Sequence, residues 1–325
     1  PDSVAASKGK SNYVAIVIEN ETDEDSGNNL GIGTLVSLQT KPRQKPEKWK
    51  ASTIDLTGLN VTRPDDPEPE YVDINDKDVA AVSLQENNAV VVVDLKSRKI
   101  KAAWDAGLAS QIADTEEDDI VNFANNIFMS PRTPDAITWT EDGNIALANE
   151  GEANLTGGRS VSVHDAMTGA IVDDPEEGLE LQHVAHGHYN DGRSGNKGVE
   201  FEGVESGVYG GTEYLFGAAE RGAGVTVQRG DDYSFVQLLP MIGDSRPEGL
   251  LAVPELNLLV AADEELGKVV FYELGTSTYP NIARPTPSDP ATAGSIGWGA
   301  LSGYSDGPGT QLYAVPDDAY QSSVY

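Results

Sequence analysis

An acidic two-part motif recurs four times along this chain and constrains its fold more than any other feature. In each copy a short turn carries an acid before a strand-like run, and a second acid follows 15 to 18 residues later. The four pairs are Glu70 with Glu86, Asp135 with Glu150, Glu202 with Glu220, and Glu248 with Glu264. Repetition at a similar spacing indicates one supersecondary unit used several times. The paired acids should therefore converge where the units meet.

The runs between these acids are typical of β-strands. Val79–Leu84 and Ala89–Leu95 are short, apolar and rich in β-branched residues, and the polar turn Glu86–Asn88 separates them. No segment shows a sustained apolar period of 3.6 residues, which argues against a helical core. Units of four strands and roughly 40 to 70 residues are typical of propeller blades. The sequence predicts an all-β fold, a β-propeller of six or seven four-stranded blades.

The two ends of the chain resemble partial blades. Tyr13–Glu19 resembles a second strand whose opening strand is missing, and Gly297–Leu301 resembles the opening of a unit that stops within a third strand at Tyr325. We therefore expect a propeller over residues 1–290, with residues 291–325 forming its last blade or the start of a second domain. An unpaired edge at the chain end favours a fragment of a longer protein.

The charge of the chain excludes several classes of partner. The formal net charge is −31 and there are no cysteines. Residues 102–325 hold 9 basic and 36 acidic residues, a net charge of −27. We expect neither nucleic acid nor anionic membranes as partners, because no basic stripe exists to displace counterions from phosphates. No run of 18 apolar residues is present, so no membrane span is expected.

Several segments resemble the choice-of-anchor I family in the order expected for it. They are Glu68–Val72 with Leu84–Val90, Pro134–Ile137 with Ala148–Glu152, and Arg193–Gly198 leading into Glu202–Glu205. The same segments are similar to mesenchyme-specific cell-surface glycoproteins and to atypical bacterial alkaline phosphatases. The C-terminal segments Gly299–Gly303 and Leu312–Asp317 together resemble the start of an esterase-like-activity-of-phytase domain. The resemblance implies a β-propeller that is extracellular, on the cell surface or periplasmic, and only loosely implies phosphatase activity.

The repeated acids predict a metal site. In a propeller the innermost strands surround a central channel, so equivalent residues form a ring. Carboxylates within reach of one another are unfavourable unless a cation or a proton lies among them. Oxygen ligands favour Ca²⁺, with other divalent metals as alternatives. The predicted ligands are Glu70, Glu86, Asp135, Glu150, Glu202, Glu220, Glu248 and Glu264, with Asp263 as an alternative to Glu264. Alternatively, each acid pairs locally, as Arg221 beside Glu220 suggests.

Basic and histidine residues near the third repeat provide a second set of candidates. Arg193, Lys197 and Arg221 could hold a phosphate oxygen. His186 and His188 would alternate on one side of an extended segment, where they could bind a transition metal with Asp191. A surface loop whose histidines bond to backbone is the simpler interpretation. Ser194 and Ser302 lie outside any Gly-x-Ser-x-Gly elbow, which argues against serine nucleophiles.

Two functions follow from these observations. In one, the chain is an acidic, cation-binding module of an extracellular or surface assembly. In the other, it is a metal-dependent phosphoesterase in which the cation site and the basic residues act on a small phosphoester. The strong negative charge favours the first, because it repels a phosphate substrate.

Overall fold

The computed structural model describes residues 2–8, 12–19, 31–41, 43–151, 157–175, 178–241, 243, 245–275, 298–299, 301–309 and 312–316. These residues form short antiparallel sheets in chain order, with one α-helix among them. Within each sheet, every strand pairs with the strand that follows it in sequence. This up-and-down order is the arrangement of propeller blades.

The first two blades are four-stranded sheets. Blade 1 contains β1 (Val4–Ala6), β2 (Tyr13–Ile18), β3 (Thr34–Gln39) and β4 (Lys50–Ile54). Blade 2 contains β5 (Pro69–Ile74), β6 (Val79–Leu84), β7 (Ala89–Asp94) and β8 (Lys99–Asp105). Strand β1 pairs with β2 from Val4 opposite Ile16 to Ala6 opposite Val14. Blade 1 therefore has the opening strand that we expected to be missing.

A hairpin and a helix interrupt the series around blade 3. The hairpin is β9 (Leu108–Ala113) with β10 (Asn125–Pro131). Blade 3 contains β11 (Pro134–Trp139), β12 (Ile145–Asn149), β13 (Ser160–His164) and β14 (Ile171–Asp173). The helix α1 (Gly178–Ala185) follows it.

Blade 4 has four strands and blade 5 has three. Blade 4 contains β15 (Phe201–Tyr209), β16 (Thr212–Ala219), β17 (Gly224–Arg229) and β18 (Phe235–Pro240). Blade 5 contains β19 (Pro247–Val253), β20 (Leu258–Asp263) and β21 (Lys268–Glu273). A last two-stranded sheet joins β22 (Leu301–Asp306) to β23 (Leu312–Pro316).

The expected number of six or seven blades is wrong. The described residues form five blades, four of four strands and one of three. The further unit expected to open at Gly297 is a two-stranded sheet, β22–β23, in the described part of the chain. The β9–β10 hairpin and the helix α1 lie between blades and add none.

The first strand of each blade lies innermost, and the blades pack in chain order. Contacts between first strands join β5 to β11, β11 to β15, and β15 to β19, while β1 and β2 contact β5. An apolar cluster fills each interface between successive blades. Strands β6 and β7 are buried on both faces, one face in each of two clusters. This explains why their sequences are almost continuously apolar.

No helix in the described part of the chain has the length and apolar character that crossing a membrane requires.

Candidate metal centre

A local irregularity places the first acid of each motif. In blades 2 to 5, the pairing between the first and second strands shifts register at the start of the first strand. Each shift contains the first acid of the motif, namely Glu70, Asp135, Glu202 and Glu248. A β-bulge re-aims the side chain at the inserted residue. The four acids therefore occupy equivalent positions at the same end of the channel.

The register also locates the second set of positions. The residue at the start of each first strand lies opposite Leu84, Asn149, Ala219 or Asp263. The residues that follow these are Gln85, Glu150, Glu220 and Glu264. Glu86 lies one residue further on, where its half-exposed carboxylate pairs with Nη2 of Arg63 at 3.1 Å. Gln85 takes the equivalent position, and its Nε2 donates to Oε2 of Glu150.

Blade 1 begins with acids that sequence reasoning missed. The backbone N–H of Glu19 donates to Oδ2 of Asp2 at 2.8 Å, which joins the start of β1 to the end of β2. The signal was present, since Asp2 follows a proline as Glu70, Asp135 and Glu248 do.

Two groups of three carboxylates converge at this end of the channel. Oxygens of Glu202, Glu220 and Glu248 lie within 4.8 Å of one another, and so do oxygens of Glu150, Glu200 and Glu202. Glu202 belongs to both groups. Glu200 and Glu220 are deeply buried, with about 4% of each side chain exposed. Glu200 is a further residue that the sequence analysis missed, because it lies outside the repeating register.

Burial and mutual repulsion raise the pKa values of several of these groups. The pKa of Glu202 is raised by burial and by the charges of Glu220 and Asp135. Burial and Glu264 raise the pKa of Glu248. Burial, with Glu150 and Glu70, raises the pKa of Asp135 well above its usual value. The centre thus favours either bound protons or a cation.

Carboxyl groups in this centre also interact with one another. Glu202 interacts with Glu220 and with Glu248, and Glu248 interacts with Glu264. Carboxyl groups this close are favourable only with a proton or a cation among them.

Four basic side chains surround the acids. Nη2 of Arg193 lies 2.5 Å and Nε of Arg221 lies 3.0 Å from Oε2 of Glu200. Nε of Arg221 also lies 2.7 Å from Oε2 of Glu220, and Nε of Arg246 lies 3.7 Å from Oε1 of Glu220. Lys197 pairs with Glu150 and Glu200. The predicted phosphate-binding residues Arg193, Lys197 and Arg221 thus contact carboxylates of the candidate metal centre.

The basic residues leave an excess of negative charge. The carboxyl groups that interact here are Asp135, Glu70, Glu150, Glu200, Glu202, Glu220, Glu248 and Glu264. Eight carboxyl groups and four basic groups leave four formal negative charges. At an effective dielectric constant of about 20, two full charges 4.8 Å apart repel each other by about 3.5 kcal/mol. Complete ionisation without a cation is therefore unfavourable.

The helix α1 ends at Ala185, so His183 is helical, whereas His186 and His188 follow the helix in the connection to blade 4. His183 lies within α1 and is fully buried, and burial lowers its pKa to about 3. Nδ1 of His186 is 2.6 Å from the carbonyl oxygen of Gln182, and Nδ1 of His188 is 3.2 Å from that of Gly222. These contacts match the simpler interpretation, in which histidines bond to backbone.

The candidate serines and Asp191 lie in structural contacts. Ser194 is fully buried, and its Oγ is 2.7 Å from the hydroxyl of Tyr189. Oδ2 of Asp191 accepts a hydrogen bond from the backbone N–H of Asp119 at 2.7 Å. Ser302 lies in β22, outside the five blades.

The family model of the choice-of-anchor I domain matches residues 36–156 and 152–232. The chain belongs to the choice-of-anchor I family. The matched residues run from blade 1 into blade 4 and include Glu70, Asp135, Glu150, Glu200, Glu202 and Glu220. Membership of this family suggests a module of a surface protein.

Solved structures of several propellers are similar to this chain. The β-propeller domain of Cps50 (Swd1) from Myceliophteria thermophila is 9% identical, with 84% of this chain and 83% of that chain covered and a TM-score of 0.49. A putative 6-phosphogluconolactonase from Bacteroides fragilis is 12% identical, with 84% and 80% covered and a TM-score of 0.45. None of the curated proteins matches this chain.

Proposed function

We propose that this chain is a propeller module of a secreted or cell-surface protein and that its acidic centre binds a divalent cation, Ca²⁺ in preference to others. The observation that carries the proposal is the convergence of Glu202, Glu220 and Glu248, whose oxygens lie within 4.8 Å of one another. Burial and repulsion make this group unfavourable as three free charges. A cation at this position would neutralise the carboxylates.

The chemistry of the donor set supports calcium. Every acid in the group offers oxygen, which suits Ca²⁺ and Mg²⁺ rather than softer metals. Glu202 and Glu220 come from blade 4, whereas Glu248 comes from blade 5. Ligands from separate blades suit Ca²⁺, which accepts six to eight oxygens in variable geometry, better than Mg²⁺, which demands a near-octahedral set.

Family membership and charge support a location outside the cytoplasm. The choice-of-anchor I match suggests a surface module. A formal net charge of −31 keeps such a module soluble and suits a medium rich in salt and divalent ions. We infer that the propeller contributes binding or structure to an extracellular or surface assembly.

Calcium titration of metal-free protein by calorimetry tests the cation site. We expect the wild-type chain to bind Ca²⁺ more tightly than Mg²⁺, and Glu202→Gln to abolish binding. Glu86→Gln is the matched control, because Glu86 belongs to the same sequence repeat yet is half exposed and pairs with Arg63. An absence of binding by the wild type, or an equal loss in both variants, would contradict the proposal.

Phosphoester hydrolysis is the second candidate. Arg193, Lys197 and Arg221 lie at the centre with about a quarter of each side chain exposed, so a phosphate oxygen could reach them. Each already pairs with a carboxylate, with which a phosphate would have to compete. Hydrolysis of a chromogenic phosphomonoester, with and without Ca²⁺, decides between the functions. Turnover that Glu202→Gln abolishes and Glu86→Gln retains would favour the enzyme.

A further inference from the structure

The two carboxylate groups at the centre differ in the cations that already lie against them. The first group is Glu150, Glu200 and Glu202, and the second is Glu202, Glu220 and Glu248. They share Glu202, so they are adjacent. Two adjacent groups of three carboxylates could hold two divalent ions with Glu202 as the shared ligand.

The ammonium of Lys197 already lies among the carboxylates of the first group. Nζ of Lys197 donates to Oε1 of Glu150 and lies 3.4 Å from Oε1 of Glu200. Arg193 and Arg221 contact the other oxygen of Glu200, at 2.5 Å and 3.0 Å. Lys197 is therefore held by ion pairs to two members of this group.

The backbone around Lys197 is shaped to deliver this side chain. Lys197, Gly198 and Glu200 all have positive φ angles, of 65°, 62° and 59°. The backbone N–H of Glu200 donates to the carbonyl oxygen of Lys197 at 3.2 Å, which closes a tight turn. Left-handed conformations are unfavourable for Lys and Glu and persist only where the surrounding structure holds them. The turn brings the side chains of Lys197 and Glu200 together in the first group of three carboxylates.

The second group lacks an equivalent ammonium. In the part of the chain that the structure describes, no basic side chain lies within 4.0 Å of a carboxylate oxygen of Glu202 or Glu248. Both acids instead have carboxylate oxygens within 4.8 Å of one another and of Glu220. Only Glu220 in this group has basic neighbours, Arg221 and Arg246.

We propose that Lys197 is a built-in cation that fills the first carboxylate group, so that the propeller centre takes one divalent ion, at Glu202, Glu220 and Glu248. This inference rests on the proposed cation-binding function. It adds the number of divalent ions that the centre binds, and it names Lys197 as the residue that sets this number. Removal of the Lys197 charge opens a second divalent position at Glu150, Glu200 and Glu202.

The number of bound Ca²⁺ ions tests this inference, measured by native mass spectrometry and by calorimetric titration. Lys197→Met removes the charge and keeps most of the side-chain length, whereas Lys197→Arg keeps the charge. We expect one ion in the wild type and in Lys197→Arg, and two in Lys197→Met. Adding Glu150→Gln to Lys197→Met removes a ligand of the new position and should restore one ion. Lys268→Met, on the exposed start of β21, is the control for loss of a lysine charge.

The outcomes separate this inference from the proposed function. One ion in both the wild type and folded Lys197→Met, or two in the wild type, would overturn the role of Lys197 and leave the cation site intact. No ion in the wild type but one in Lys197→Met would overturn the proposed function and support the role of Lys197. No ion in any variant would overturn both. If Lys197→Met folds only with Ca²⁺ present, its count is measured after refolding in Ca²⁺, with Lys197→Gln as the second neutral variant.

Discussion

Removing divalent ions should lower the melting temperature of this protein, and Ca²⁺ should restore it. Full ionisation of Glu202, Glu220 and Glu248 creates three close pairs, each repelling by about 3.5 kcal/mol at an effective dielectric constant of about 20. A ligand present at 100 times its dissociation constant stabilises the folded state by about 2.7 kcal/mol. The unfolding entropy of 325 residues, at about 2.1 cal/mol/K each, is about 0.7 kcal/mol/K. The expected shift is therefore about 4 °C.

The size of this shift should depend on pH. The pKa values of Glu202 and Glu248 are raised in the folded state, so their protonated forms contribute stability that is present at low pH. That contribution is lost as the pH rises through the raised values, and metal-free protein loses stability in this range. A bound cation replaces the lost protons. The gain in melting temperature from Ca²⁺ should therefore be small at pH 5 and larger at pH 8.

Differential scanning calorimetry with EDTA or with Ca²⁺, at pH 5 and pH 8, measures both effects. The melting temperature of Glu86→Gln should respond as that of the wild type does. The melting temperature of Glu202→Gln should not respond to Ca²⁺, and in EDTA it should depend less on pH. Melting curves that coincide in EDTA and Ca²⁺ at pH 8 would refute the reasoning. A response that is larger at pH 5 would refute the linkage to the raised pKa values.

Three further predictions concern other parts of the molecule. Gly203→Ala should weaken Ca²⁺ binding and destabilise the fold by about 1 to 3 kcal/mol in denaturant unfolding, because the added Cβ would overlap the carbonyl oxygen of Glu248; unchanged binding and stability would contradict this. Burial raises the pKa of Glu205 to about 8 despite Lys8. Its contribution to stability is therefore lost as the pH rises from about 4.5 to about 8, and Glu205→Gln should melt with a smaller decline between pH 5 and 8 than the wild type does. Added NaCl should raise the melting temperature, since it screens a net charge of −27 over residues 102–325; a fall would mean that the acids are already paired.

The repeat motif predicted the propeller and the convergence of its acids because both depend on periodicity. Each first acid lies at the same register shift, so equal positions in sequence became equal positions in space. The sequence could not distinguish Gln85 from Glu86, because only the pairing of Pro69 with Leu84 decides which residue follows the strand at the channel. It also could not reveal Glu200, whose position depends on a tight turn with positive φ angles.

The blade number was missed for a different reason. Apolar runs identify strands but do not show which strands join into one sheet. The strands after Gly297 were counted as the opening of a further blade, whereas the described residues there form the two-stranded sheet β22–β23. The basic residues near the third repeat were recognised, but their ion pairs with Glu150, Glu200 and Glu220 depend on contacts between strands far apart in sequence.

Each blade packs on its neighbours in chain order, and this packing determines the order in which the blades unfold. Among the described residues, blade 5 packs through one apolar cluster, with blade 4, while Leu251, Val269 and Phe271 on its strands are exposed. Glu220 and Glu248 lie on opposite sides of that interface. An ion bound by both residues would hold blade 5 against blade 4. Without the ion, we expect blade 5 to detach first, so that proteases cut after β18 and amide hydrogens of β19–β21 exchange before those of blade 2.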